Sequence, residues 1–241
     1  MTSVYLNGDG RMGASLLALI EDADPAAAGL SLCPSAAEAD VVLDYSHPIA
    51  TEALLAELGP LGKPLLVGTT GLPDELVAKL RALSERCPVV LAPNTGTGIA
   101  VLAGLVRNAV AALGPGWDIE VLEMHHRDKV DSPSGTAWML LERAAGDGRD
   151  RAVPARVGEV GARSDAEIGV QSLRGGDVVG EHTVYLVGQG ERIELIHRCW
   201  DRLTFARGGL RVARWLCEAD RQPGLYTMAD VLAAGEGSAT S

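Results

Sequence analysis

Thirteen consecutive residues, His125 to Ala137, read HHRDKVDSPSGTA and hold two histidines, a lysine and a Ser-Gly-Thr turn with almost nothing apolar among them. Histidine exchanges protons near neutral pH, so the first candidate chemistry is proton transfer. On a strand running from Trp117 to His126, Glu123 and His125 share one face and His126 takes the other. Adjacent histidines so placed cannot converge on one small metal ion without a bend, and no metal site is expected. Ser134 is placed to cap a helix whose first amides, at Gly135 and Thr136, point outward at the positive end of the dipole. That arrangement suits a carboxylate. Lys129 and His126 bring positive charge to the same connection, which reads as a carboxylate cradle with His125 free to move a proton. The bland alternative is a polar loop before an ordinary capping serine; the two histidines and the lysine weigh against it.

A second group of residues suits a nucleotide. Directly after the first strand stands NGDGRMG, Asn7 to Gly13, in which Gly8, Gly10 and Gly13 match G-x-G-x-x-G and Arg11 opens the following helix. Glycines there permit a tight turn, let backbone amides approach a pyrophosphate and let helix pack on strand. Two further loops, Gly68-Thr69-Thr70-Gly71 and Ala92-Pro93-Asn94-Thr95 with Gly96 to Gly98 after it, follow later strands. Each alone reads as a solvated turn, whereas three on one sheet edge predict a shared crevice. His47 is expected merely to precede a helix, His182 to be hydrogen-bonded within a sheet, and the four tryptophans to be core.

The elements that must position these groups alternate over the first hundred residues. Val4 to Leu6, Val41 to Tyr45, Leu65 to Val67 and Val89 to Leu91 read as strands separated by Ala/Leu-rich helical segments, which predicts a parallel sheet covered on both faces. Pro48 opens a helix to Leu58, and Pro73 with Asp74 and Glu75 opens another to Arg86. Beyond Asn94 the pattern changes to a helix at Gly98–Leu113, the strand from Trp117, a helix from Ser134 to Ala145 and a Gly/Arg/Asp-rich loop. Runs at Glu167–Leu173, Glu181–Val187 and Arg192–Arg198 then predict an antiparallel or mixed sheet, followed by helices over Gly208–Glu218 and after Tyr226. The expected domains are 1–96 with 202–241, and 97–201. The tail Gly235–Ser241 reads as disordered.

Composition limits the partners. The chain has 241 residues, 47% of them hydrophobic, enough for a sizeable core. A net charge of −11 argues against nucleic acid and anionic membrane surfaces, so any anionic ligand is held locally. No apolar run approaches the roughly 20 residues that span a bilayer. Four dispersed cysteines without a CxxC pair, and no basic-then-apolar leader, predict a reducing, cytoplasmic setting.

Taken together, Gly10-Arg11-Met12-Gly13, Asp44 to Pro48, Gly68 to Gly71, Ala92 to Asn94, Glu123 to Ala137, Arg174 to Thr183 and Arg202 to Gly208 resemble the 4-hydroxy-tetrahydrodipicolinate reductases of bacterial lysine and diaminopimelate synthesis. The segment His125-His126-x-x-Lys129-x-Asp131-x-Pro133-Ser134-Gly135-Thr136 is highly specific to that family. The resemblance implies a Rossmann-like nucleotide domain, plus an α/β domain whose open mixed sheet builds a homotetramer. It implies reduction of a cyclic, unsaturated dicarboxylate by NADH or NADPH after loss of a hydroxyl as water. By the same resemblance His125 is the general acid and Lys129 a second proton donor or carboxylate ligand. His126, Ser134, Gly135, Thr136 and Arg202 hold the substrate carboxylates. Asn7, Gly8, Gly10, Arg11, Met12 and Gly13 line the cofactor with Gly68, Thr69, Thr70, Ala92, Pro93, Asn94 and Thr95. Two features depart from the family: Asn7 replaces its usual glycine, and no acidic or basic residue marks the end of the second strand near Leu32 to Ser35. A non-enzymatic descendant that senses a nucleotide or dicarboxylate is the other reading; it would have little reason to keep His125 and Lys129 together with the cradle.

Overall fold

The computed structural model describes residues 1–145, 152–219 and 221–233. The expected disordered tail and the first part of the Gly/Arg/Asp-rich loop lie outside the described residues. The chain begins β1 (Thr2–Asn7), α1 (Arg11–Glu21), β2 (Leu30–Leu32), β3 (Val41–Asp44), α2 (Pro48–Leu58), β4 (Leu65–Val67), α3 (Asp74–Ser84) and β5 (Pro88–Leu91). It continues α4 (Thr97–Leu113), β6 (Asp118–His125), α5 (Gly135–Ala145), β7 (Ala152–Pro154), β8 (Ile168–Arg174), β9 (Gly180–Val187) and β10 (Arg192–Cys199). It closes with α6 (Leu203–Leu216), β11 (Gly224–Tyr226) and α7 (Met228–Ala233). Chain contacts define two compact units, one of Met1–Thr97 with the residues from Leu203 onward, the other of Gly98–Arg202. No helix among the described residues is long and apolar enough to cross a membrane.

The first unit is a Rossmann-like parallel sheet ordered β11-β5-β4-β3-β1-β2. Its inner strands read as short unbroken apolar runs because helices cover both faces; Val41, Val42, Leu43, Leu65, Leu66 and Val67 are wholly buried. Strand order reverses at β1, so the loops after β1, β3, β4 and β5 share the carboxyl edge, where open parallel sheets take their ligands. α6 differs from the expected Gly208–Glu218: it starts at Leu203. Gly208 looks like a helix start in sequence but lies within the helix, where a Cβ would come 1.8 Å from the Thr95 carbonyl oxygen. Glycine serves close packing there. Strands β7 and β11 were not expected, since three residues are too few to show a period of two.

The second unit is a mixed sheet ordered β10-β9-β6-β8-β7, with β9 antiparallel to both neighbours and β6, β8 and β7 parallel. Helices α4 and α5 cover one face. Ile99, Leu102 and Val106 from α4 meet Leu140 and Leu141 from α5 over Val121, Val170, Val184 and Leu186 of the sheet. Burial alternates strictly along β6, with Ile119, Val121, Glu123 and His125 on the covered face. That face is apolar at one end and polar at the other. On the opposite face Leu122, Met124 and Tyr185 are half-buried and Ile196 is exposed.

Two glycine-to-alanine changes should move stability in opposite directions. Gly208→Ala places a methyl against rigid backbone and should lower unfolding free energy by about 1–3 kcal/mol, more than helix propensity returns. Gly104→Ala in α4 meets nothing within 4 Å and should raise it by about 0.5–1 kcal/mol. Urea unfolding measures both, and a stabilising Gly208→Ala would contradict the close approach of α6 to Thr95.

Candidate active site

The polar end of the second unit's covered face is organised by Glu123, a carboxylate with no exposed surface. Opposite it in the ladder stand Ser172 on β8 and His182 on β9, and His125 lies opposite Arg174. These residues therefore share one face. Arg174 donates from Nη1 to Oε2 and from Nη2 to Oε1, both at 2.8 Å, the fork geometry that suits carboxylates best. The Ser134 amide donates to Oε1 at 3.1 Å, and His125 Nδ1 lies 2.5 Å from Oε2. Burial alone would raise the Glu123 carboxyl, but hydrogen bonds from His125, Arg174 and Ser172 outweigh it and hold the group well below the usual carboxylate range. An ionised carboxylate only accepts, so Nδ1 of His125 carries a proton and Nε2 is the end left for exchange.

The same carboxylate reaches the expected cradle. Ser134 caps α5, its Oγ accepting from the Ala137 amide at 3.1 Å, while Gly135 is exposed and Thr136 half-buried. Lys129 is already paired, with Nζ 2.8 Å from Asp131 Oδ1. Arg174 also donates from Nη2 to the Asp131 carbonyl at 2.5 Å, fixing the loop that carries Lys129. His126 follows β6 directly and is half-buried, as is Arg202, which ends this unit. The structure thus brings His125 and Ser134 together through Glu123, with Lys129 on a loop tied to the same arginine.

Sequence reasoning passed over three members. Glu123 was read only as sharing a face with His125, Arg174 only as part of a matching stretch, and His182 as a plain sheet histidine. His182 is buried, with Nε2 3.2 Å from Ser134 Oγ and its ring edge-on to that of His125 at 5.2 Å between centroids. The available signal was a polar residue in phase with the buried positions Val184 and Leu186.

The first unit's candidate residues gather on its carboxyl edge. Gly10 caps α1 without a side-chain bond, and Arg11 beside it is exposed. Gly13 is buried at the Gly8 carbonyl, where a Cβ would come within 2.0 Å. The loops are stitched by Asp44, fully buried at the end of β3. Its Oδ1 accepts from Asn7 Nδ2 at 2.8 Å and Ser46 Oγ at 2.5 Å, and its Oδ2 from Thr51 at 2.5 Å and Thr69 at 3.0 Å. Thr95 accepts from the Tyr45 hydroxyl at 3.0 Å and donates to the Phe205 carbonyl at 2.7 Å. The hydroxyls of Thr69 and Thr95 are therefore spent on holding the loops. Gly10, Thr70 and Pro93 are exposed, Gly8, Met12 and Asn94 half-buried, and Gly68 and Ala92 buried. His47 precedes α2 as expected and also caps it, accepting from the Ala50 amide at 3.3 Å. Trp215 is core, but Trp200 is 84% exposed.

This arrangement predicts loss of stability in acid. Burial, chiefly, pushes the His182 imidazole from 6.5 down to about 3. The unfolded chain therefore takes up this proton as pH falls through about 6.5, while the folded chain resists until about 3. The contribution is complete above pH 6.5 and is lost as pH falls toward 3; burial moves His197 in the same direction, and Glu123 acts likewise only below its ordinary range. Each such proton steepens stability by up to about 1.4 kcal/mol per pH unit. Urea midpoints should fall between pH 7 and 5, and fall less steeply in His182→Gln. Equal slopes in both proteins would contradict a neutral, buried His182.

Comparison with known proteins agrees across both units. The family models for the N-terminus and the C-terminus of dihydrodipicolinate reductase match residues 26–95 and 98–232. The 4-hydroxy-tetrahydrodipicolinate reductase of Myxococcus xanthus is 49% identical over 200 residues, covering 82% of this chain and 73% of the relative. That of Akkermansia muciniphila is 44% identical over 243 residues, covering 96% and 98%. Among solved structures, the dipicolinate-bound dihydrodipicolinate reductase of Paenisporosarcina sp. TG-14 shares the fold with a TM-score of 0.74 at 22% identity, covering 94% of this chain and 97% of that one. With both family models matched in order and the relatives aligned over most of their length, the chain belongs to the dihydrodipicolinate reductase family of oxidoreductases.

Proposed function

We propose that the protein reduces 4-hydroxy-tetrahydrodipicolinate to tetrahydrodipicolinate with NADH or NADPH, the substrate first losing its hydroxyl as water. The observation that carries this reading is the His125–Glu123 pair beside the Ser134-capped start of α5. The nucleotide supplies a hydride when bound. His125, protonated on both nitrogens and held through Nδ1–H, gives its Nε2 proton to the ring carbon and is left neutral, so hydride and proton add across the unsaturated bond. The amides at Gly135 and Thr136, with Ser134, His126 and Arg202, hold the two carboxylates. Lys129 serves as second proton donor or carboxylate ligand by exchanging its Asp131 partner for the substrate. A dicarboxylate bound to the Paenisporosarcina relative supports the substrate class. Asn7 to Gly13, Gly68 to Thr70 and Ala92 to Thr95 line the nucleotide. The half-buried apolar face of the mixed sheet suits a homotetramer, which sedimentation velocity tests, and a cytoplasmic setting fits the free cysteines.

The test couples the purified chain to a dihydrodipicolinate synthase and follows NAD(P)H absorbance. Substrate-dependent oxidation is expected; its absence with both nucleotides would overturn the reading. His125→Gln should lower kcat by about 10²–10⁴-fold with little change in KM, as general acids act in the transition state. An unchanged kcat would remove His125 from the reaction.

Discrimination between nucleotides should be weak. β2 ends at Leu32, and no Lys or Arg occurs from Met12 to Gly62. Asp40 is turned to the amino edge of the sheet, accepting from the Ser3 amide and hydroxyl at 2.8 Å each. Neither an acid to read the ribose hydroxyls nor a base for a 2′-phosphate stands at the end of β2. The ratio of kcat/KM for NADH and NADPH is therefore expected within about tenfold, a span of roughly 1.4 kcal/mol. A hundredfold preference would contradict this placement of the ribose.

A further inference from the structure

We propose that His182 is a positioning residue for the carboxylate cradle: its Nε2–H holds the Ser134 hydroxyl so that the hydroxyl hydrogen is presented to a substrate carboxylate. The inference rests on the reading of Ser134, Gly135 and Thr136 as that cradle.

The ring is 4% exposed and has two nitrogens in different positions. Nε2 lies 3.2 Å from Ser134 Oγ, whereas Nδ1 is buried without a hydrogen-bond partner. His125 and Glu123 face it from β6, Lys129 from the loop after β6 and His197 from β10; burial dominates and keeps it neutral. A neutral imidazole has one hydrogen to place. On Nδ1, that hydrogen would be a buried donor with nothing to accept it. On Nε2, it is used, and only a lone pair at Nδ1 goes unmatched. Orphaned buried donors are rarer and costlier than under-satisfied acceptors, so the hydrogen belongs on Nε2.

The consequence falls on Ser134. Its Oγ then accepts twice, from the Ala137 amide at 3.1 Å and from His182, which fills both lone pairs. What remains is its own hydrogen, directed away from the two donors; Ser134 itself is buried, and the residue after it, Gly135, is exposed. In the other tautomer the serine would spend this hydrogen on His182 and offer an anion nothing. His182 thus decides whether the cap of α5 is also a donor to ligand.

Kinetics and titration with pyridine-2,6-dicarboxylate on wild type, His182→Ala, His182→Gln, Ser134→Ala and the double alanine variant test this. His182→Ala should raise substrate KM and the inhibitor constant about five- to tenfold, with kcat and nucleotide KM changed less than twofold. His182→Gln returns a neutral donor to the Nε2 position and should recover most of the loss, which a purely structural role would not require. In the Ser134→Ala background His182→Ala should have no further effect on inhibitor binding. Additive losses in that cycle, or a glutamine variant as impaired as alanine while folded, would overturn the proposal. If wild type oxidises no nucleotide with substrate, the reductase reading fails instead, and calorimetry of dicarboxylate binding still decides the role of His182.

Discussion

A carboxylate removed from water is costly unless every oxygen is matched, and Glu123 is such a group. Its donors come from its own strand, the strand beside it and the cap of α5: His125, Arg174 with Ser172, and Ser134. None of these can be displaced without leaving charge unmatched in the interior. The position and tautomer of His125 and the entry angle of α5 therefore depend on one group. The apolar layer beneath, Val121 and Val184 against Leu140 and Leu141, holds the sheet and helix at the distance this network needs.

The first unit solves a related problem with neutral partners. Asp44 is as deeply buried, but its donors are an amide and three hydroxyls, drawn from the glycine loop, the start of α2 and the loop after β4. Asn7, where the family usually has glycine, is one of them. Its side chain turns toward Asp44, the group that fixes the loops.

Much of this was legible in sequence, for definable reasons. The site stretch from His125 to Thr136 is contiguous, so its residue types and the cap of α5 could be read together. Strands buried on both faces announce themselves as apolar runs, and helices with proline at the first turn announce their starts. What escaped depends on register. Arg174 reaches Glu123 from 51 positions away, and a parallel pairing of β6 with β8 has no local signature. His182 looked like one histidine on one strand, and only the alignment of β9 with β6 sets it opposite Glu123. Thr69 and Thr95 sit in polar loops whose composition offers hydroxyl donors; that these hydroxyls bond within the fold, to Asp44 and the Phe205 carbonyl, has no local signature. Gly208 reads as a helix boundary because a tight contact with Thr95 leaves no trace in local composition.

The most direct measurement is a crystal structure of the protein with pyridine-2,6-dicarboxylate and a nicotinamide nucleotide bound. One carboxylate is expected on the amides of Gly135 and Thr136 and the Ser134 hydroxyl, with the ring within hydrogen-bond reach of His125 Nε2 and Glu123 still bonded to Nδ1. A dicarboxylate seated away from α5, or a His125 ring turned so that Nε2 meets Glu123, would contradict this arrangement.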